Sequence, residues 1–470
     1  MATPAYSPCG SGEGALECGR PGFVGMRADV LGGDMDAYRK VLNGIWFASI
    51  GLGAAAAQTT TGRISVDSAP EWNRLFDRHE GWTGADGIFS IPLSGYKGPD
   101  RAFGNKTLFV FSDTWIGKVD PMTDKRAGAT MIHNSFAVLD GAEPDPAKIR
   151  FVWKKDPQGR ALSSITPNTP GTAGLNAWYW LQDGFYYNGH VYILPIVCTP
   201  KTGGWNEAAV AFLKIPILAD GTPDLEHVIQ RDSPFKYSGS NGSYYFGNGI
   251  MPNTAESGAP NPDGYVYFYG RFTLRVARVR PDEIEEFSKW RYWDGAAWSA
   301  EIGKAADLGA GGPELSVTPI SQGSQKGKYM LVSMSVEQNA FLRMGTNPWG
   351  PFGARTNIYQ APEWHTYGGG VYTYNAKAHP SISSNGEWLV TYNVNTNNLD
   401  LNLAHADIYH PRFIRLRLDP ATTALAPARP RSRAYSAFAA GPEGAGADML
   451  GRFLAPGFTA LPVFPSGESF

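Results

Sequence analysis

The chain has 470 residues, 43% hydrophobic and 18% charged, with a formal net charge of −2. So even a balance leaves no basic footprint for nucleic acid or for an anionic membrane surface. The 14 Trp, 22 Tyr and 24 Phe, set among 56 Gly and 35 Pro, point to an all-β, turn-rich protein. Its aromatic faces suit the C–H faces of sugar rings and equally suit an ordinary β core.

Residues 1–38 are Gly-rich and patternless. Arg39-Lys40 then precede an apolar run from Val41 to Ala54 and the stretch Ala54-Ala55-Ala56-Ala57-Gln58. A positive segment, an apolar segment and small residues in that order read as a secretory signal. Residues 1–57 are therefore set aside from the fold, and the protein is expected to be secreted or periplasmic. The run is too short and too interrupted for a membrane span. Cys9 and Cys18 fall within residues 1–57, so Cys198 alone would remain, which excludes an internal disulfide and a cysteine-rich zinc site.

From there the apolar pattern has period two. Trp82 to Ser90 and Leu108 to Trp115 read as strands, and each carries an aspartate, Asp86 and Asp113, where the pattern asks for an apolar or neutral residue. Two carboxylates brought together by one hairpin can do acid/base work; each is also an ordinary turn former. Further strands follow at Val191–Val197, Tyr265–Tyr269, Lys328–Met334 and Glu387–Tyr392, mostly after Gly or Asn-Gly. Ahead of each lies a shorter strand with a polar start, at Asp86, Asp183, Asn248, Glu314 and His379, and third strands follow in several units. Only Pro281 to Lys289 looks helical. A repeat of five such units predicts a five-bladed β-propeller over 58–418, in preference to a β-sandwich pair or a β-helix. The polar strand starts would then ring one mouth of its axis. His410 to Leu416 is the candidate closing strand, and the Ala/Pro/Gly-rich residues 419–470 read as a poorly ordered tail.

These residues resemble a known group. The Trp82…Asp86-Gly87 start, the Phe111-Ser112-Asp113-Thr114 strand end, Asn347-Pro348-Trp349-Gly350-Pro351-Phe352 and His379-Pro380-Ser381…Tyr392-Asn393 look like five-bladed propeller glycosidases. The nearest resemblance is to the bacterial domain-of-unknown-function families 4185 and 5005, the former including endo-acting D-arabinofuranases. It implies catalysis by two acidic residues of the first blade, which Asp86 and Asp113 match, and an inverting outcome. More distant propeller families use Asp, Asp and Glu from successive inner strands. Asp86 and Asp183 fit that scheme, but the third position is Asn248 and the Glu comes one blade later, at Glu314.

Glycoside cleavage needs one carboxylic acid to protonate the leaving oxygen and one carboxylate to activate water or attack the sugar. Asp86 is assigned as base or nucleophile and Asp113 as acid, with Asp183 and Glu314 tuning or replacing them. Trp115, Trp180, Asn248, Arg271, His379 and Asn393 are candidate substrate-binding residues, and Trp178, Tyr179, Trp349 and Trp364 are further aromatic platforms. His133-Asn134 at a strand start is ambiguous in the same way as His379. No metal ligand set and no cofactor is read from the sequence, and a structural calcium ion is not evident in it. The expected partner is a carbohydrate, with no nucleic acid and no membrane after signal cleavage, and the protein is read as a monomer. Gly-x-Ser-x-Gly, His-Glu-x-x-His and phosphate-loop motifs are absent. A secreted glycoside hydrolase acting on arabinan-like furanose glycans leads, ahead of a lectin-like propeller and then a polysaccharide lyase.

Overall fold

The computed structural model describes residues 64–419, apart from 96, 98–104, 336, 368–369, 385 and the side chain of residue 364. The signal segment and the C-terminal tail inferred from sequence lie outside the described residues, as does the side chain of the platform candidate Trp364.

The described chain opens with strand β1 (Ile64–Ser68) and helix α1 (Pro70–Phe76). Pro70 suits the first helical turn, where its missing N–H has no partner to lose. Seven residues do not hold a helix unaided. Burial of Trp72, Leu75 and Phe76 holds this one, with Phe76 stacked on Phe413 at 5.4 Å and edge-on to Phe109 at 5.4 Å.

Next come β2 (Glu80–Ala85), β3 (Phe89–Pro92), β4 (Lys106–Phe111), β5 (Thr114–Val119), β6 (Arg126–Ile132), β7 (Ser135–Asp140) and β8 (Ile149–Val152). The first large sheet has the order β3-β4-β7-β8, while β2, β5 and β6 form a smaller one. A hairpin of β9 (Lys154–Lys155) and β10 (Ala161–Leu162) leads to the second large sheet. That sheet holds β11 (Trp178–Trp180), β12 (Gly184–Tyr187), β13 (His190–Ile193), β14 (Ile196–Lys201), β15 (Gly204–Pro216) and β16 (Ile229–Asp232). The third runs β17 (Lys236–Gly239), β18 (Gly242–Pro252), β19 (Val266–Gly270), β20 (Val276–Val279), β21 (Arg291–Trp293) and β22 (Trp298–Ser299). The fourth runs β23 (Leu315–Pro319), β24 (Tyr329–Met334), β25 (Asn339–Gly345) and β26 (Thr356–Gln360). The last contains β27 (Val371–Ala378), β28 (Glu387–Thr396) and β29 (Pro411–Leu418), with helix α2 (Leu399–Ala404) between the latter two. It is completed by β1, in the order β1-β29-β28-β27.

Apolar residues on both faces of these strands make the sheets pack on one another. Phe89, Leu108 and Val110 of the first sheet meet Val191, Ile193 and Leu213 of the second. Phe185 and Phe212 of the second meet Phe246 and Phe268 of the third, and Tyr267 and Tyr269 of the third meet Leu331 and Phe341 of the fourth. Met330 and Val332 pack with Trp388 and Val390 of the fifth, and Leu389 and Phe413 return to Phe109 and Phe111 of the first. The leading strands touch in the same succession: β3 with β12, β12 with β18, β18 with β23 and β23 with β27.

Most expected strands are present, with local corrections. Pro195 divides the strand expected at Val191–Val197 into β13 and β14, since it offers no N–H to the ladder. Pro281 to Lys289 forms two 3-10 turns rather than one helix. The largest correction is in the fifth sheet. His379 does not start an inner strand: Pro380–Ile382 is a 3-10 turn, and the strand is β27, ending at Ala378.

Candidate active site

Asp86 sits between β2 and β3, and Asp113 between β4 and β5. The backbone joins them: Asp86 N–H donates to the Asp113 carbonyl (3.2 Å), and Ser112 N–H donates to the Asp86 carbonyl (3.1 Å). Gly87, at φ 81°, allows this approach, because a Cβ there would stand 2.9 Å from Ser112 N. The hairpin therefore brings the two aspartates together as expected.

Their side chains are held differently. Asp86 Oδ2 accepts from the Tyr374 hydroxyl (2.7 Å), the Tyr409 hydroxyl also bears on the carboxyl, and Oδ1 is buried with no close hydrogen bond of its own. Asp113 Oδ1 takes a hydrogen bond from His133 Nδ1 (2.9 Å), and the His133 ring stacks on Trp178 at 4.9 Å. Burial, then the charge of Asp113, raises the Asp86 pKa to about 7, with the Tyr374 hydroxyl opposing them. Asp86 is thus about half protonated near neutrality. Asp113 instead has the His133 imidazole against it.

The third acid is Glu314, just before β23. Burial raises its pKa to about 7, partly offset by the Lys377 ammonium. Lys377 forms an ion pair with Glu314 and also donates to the Gly87 carbonyl, so one buried cation ties the fourth and fifth sheets to the Asp86 turn. Burial lowers the Lys377 pKa, and Glu314 and Asp86 oppose that shift.

Tyr374 and Lys377 are three residues apart and would face opposite ways in a regular strand. A bulge between them, with Asn375 at φ 62°, turns both toward the acids. Tyr374 is positioned in turn by Asn395, whose Nδ2 donates to its hydroxyl (3.3 Å), and Asn395 accepts from Asn402 of α2 (3.4 Å). Neither Tyr374 nor Lys377 was predicted. Their signal is a Tyr-x-Tyr-Asn-x-Lys run whose period of two breaks at an Asn able to take a left-handed backbone.

The model of the family described as Domain of unknown function (DUF5005) matches residues 69–419. The chain belongs to this family. It is also similar to the crystal structure of an inferred hydrolase from Bacteroides ovatus ATCC 8483, with a TM-score of 0.59 and 19% identity, over 77% of this chain and 93% of that one. That similarity shows a shared fold. Weaker matches include a family 117 glycoside hydrolase from Zobellia galactanivorans (TM-score 0.38, 10% identity, 76% of this chain and 90% of that one). Another is an α-L-arabinofuranosidase from Clostridium thermocellum (TM-score 0.35, 12% identity, 65% and 82%). Among curated proteins, none matches this sequence.

In this DUF5005 chain several predicted site residues take supporting roles. Asp183 is fully engaged: Oδ1 accepts from Gly184 N–H (2.8 Å) and pairs with Lys97, and Oδ2 accepts from Ile250 N–H (2.7 Å). It ties the second sheet to the third, which suits the orienting role expected for it. His379 is buried, with Nδ1 on Ser90 Oγ (2.9 Å) and Nε2 on Thr391 Oγ1 (2.7 Å), and burial keeps it neutral. It is a packing residue rather than a sugar ligand. Lys97, Asp183, Lys377 and His379 line a cavity of about 20 Å³, room for one water. Trp115 is only 6% exposed beneath the Arg126 guanidinium, so it is not a platform. Trp349 packs with Tyr267, Trp293 and Trp298 in the third sheet, and Tyr179 is buried. Cys198 is a free, buried thiol.

Asn393 and Asn248 are also buried, but each keeps a polar atom without a partner, Asn393 Oδ1 and Asn248 Nδ2. Arg271 pairs with Glu207 and with the Tyr245 hydroxyl, which itself donates to Glu207 Oε2 (2.8 Å). Glu207, a residue the sequence reading missed, thus fixes Arg271. Trp180 remains half-buried beside Trp178 and Trp205. Among the described residues, Asp124, His405 and Asp407 offer ligand atoms within 4.8 Å of one another. Tyr367 already donates to both Asp407 oxygens (2.8 and 2.9 Å), and Arg412 lies 3.9 Å away. The negative charge a cation would need is therefore already partly answered.

Proposed function

We propose that the protein is a secreted five-bladed β-propeller glycoside hydrolase that cleaves furanose-containing, arabinan-like glycans. Supporting the propeller are five large sheets packed in succession, the last against the first. The observation that carries the chemistry is Asp86: a buried carboxyl with one oxygen lacking a close hydrogen bond, raised to about 7, backbone-paired to a second aspartate. Asp86 protonates the leaving oxygen. Asp113, with His133 against it, activates the attacking water, and Glu314, through its pair with Lys377, holds the Asp86 turn in place. The choice of a furanose glycan rests on the family resemblance.

The test is reducing-end release from a panel of arabinans, fructans and pectic glycans, using the wild type, Asp86→Asn and Asp113→Asn. Activity on one glycan, lost in both folded variants, is the expected result. Ultraviolet-absorbing products would instead make the protein a lyase. Retention on a glycan column with no cleavage of any substrate would make it a binding module.

A further inference from the structure

The second sheet carries three tryptophans on its outer reach: Trp178 and Trp180 on β11, and Trp205 at the start of β15. Trp178 pairs with Cys198 and Cys198 pairs with Glu207 across adjacent strands, so these side chains share one face. Trp180, two residues on, faces the same way. The row begins at the active site. His133 bonds Asp113 at 2.9 Å and stacks on Trp178 at 4.9 Å; Trp178 meets Trp180 at 6.5 Å, and Trp180 meets Trp205 edge-on at 5.1 Å.

Exposure increases along this row. Trp178 and Trp180 are half-buried and Trp205 is 41% exposed, whereas Trp82, Trp290 and Trp388 of the interior are nearly covered. The indole Nε1 atoms of Trp178 and Trp180 are turned inward, so the surface those residues offer is carbon. Arg271 beside this face is paired with Glu207.

We infer that this strip is a binding track for a run of neutral sugar units, extending from the cleavage point at Asp113 out over β11 and the β14–β15 hairpin; this rests on the glycosidase reading. Sugar rings present apolar C–H faces that stack on aromatic carbon, and Glu207 offers an acceptor to hydroxyls along the way.

The test uses the full chain with Trp205→Ala and, as the conservative partner, Trp180→Phe. KM is measured for branched arabinan and for a short aryl arabinofuranoside, and mobility is measured in gels containing the polysaccharide, with Asp86→Asn as background. The expected result for Trp205→Ala is a rise of about tenfold in the ratio of the polymer KM to the aryl-glycoside KM, and loss of gel retardation. Trp180→Phe retains most of both. Cleavage with an unmoved KM ratio and unmoved retardation overturns the track and leaves the glycosidase standing. Retardation that Trp205→Ala abolishes, without cleavage of any glycan, supports the track and sinks the hydrolase. Absence of both cleavage and retardation overturns the track. So does a shift in sedimentation on Trp205→Ala, which would mark the strip as a contact between copies.

Discussion

Replacing the acid of an active site should make this protein more stable, but only at the right pH. Asp86→Asn keeps the shape of the side chain and leaves an amide oxygen to accept from Tyr374. The carboxyl it replaces is raised from 3.8 to about 7. Between those values the native chain holds a proton that the unfolded chain has released, so wild-type stability falls as pH rises through the window. The penalty is absent below about pH 4 and complete above about pH 7. At 1.36 kcal/mol per unit of pKa the ceiling is about 4 kcal/mol, and about 2–4 kcal/mol is expected because the residue as a whole is half-buried although its Oδ1 is covered. Urea unfolding should therefore give matching midpoints for wild type and Asp86→Asn at pH 4, and a higher midpoint for the variant at pH 8, with unchanged m-values. A constant difference at both pH values, or a variant less stable at pH 8, would refute the account of a desolvated acid facing Asp113. The same variant should be inactive, a gain in stability at the expense of function.

Lys377→Met strips Glu314 of its buried cation and should cost about 3–5 kcal/mol at pH 8. The loss should be smaller at pH 5, where Glu314 takes up a proton; equal losses in thermal melts at both pH values would refute the pairing. Gly84→Ala would place a Cβ 2.3 Å from the Tyr409 carbonyl at a backbone φ of 149°. A destabilisation of about 2–3 kcal/mol is expected by chemical denaturation, and a neutral result would refute that close approach. With Asp86 as the proton donor, kcat/KM should fall about tenfold per pH unit above about pH 7. A pH–rate profile flat to pH 9 would exclude that role.

The strands were legible because apolar alternation survives in one sequence, and the Asp86–Asp113 pairing was legible because each acid interrupts such a run. What escaped lay where local pattern and geometry part. Tyr374 and Lys377 face the site through a bulge, which period-two reasoning treats as noise. Pro380 drew attention to His379, when it marks the end of the strand that carries them. Trp115 and Trp180 look alike in sequence; Arg126, eleven residues after Trp115 and brought over its ring by β6, covers one and not the other.

The pairing of β1 with β29 has a consequence for how the chain reaches this state. Ile64↔Leu418 through Ser68↔Ile414 join the two ends of the described chain in one ladder, braced by Arg417 between Asp67 and Glu387. Closing a loop of about 350 residues carries an entropic cost on the order of 5 kcal/mol, which no local contact repays. The fifth sheet therefore cannot be completed early. During synthesis β1 emerges first and must wait, with its backbone groups unpaired, until nearly the whole chain has left the ribosome. Asp67 and the exposed Ser68 keep that waiting edge polar and guard it against pairing with a neighbouring chain. The strand that seals the molecule is thus also the one most in need of protection before it is sealed.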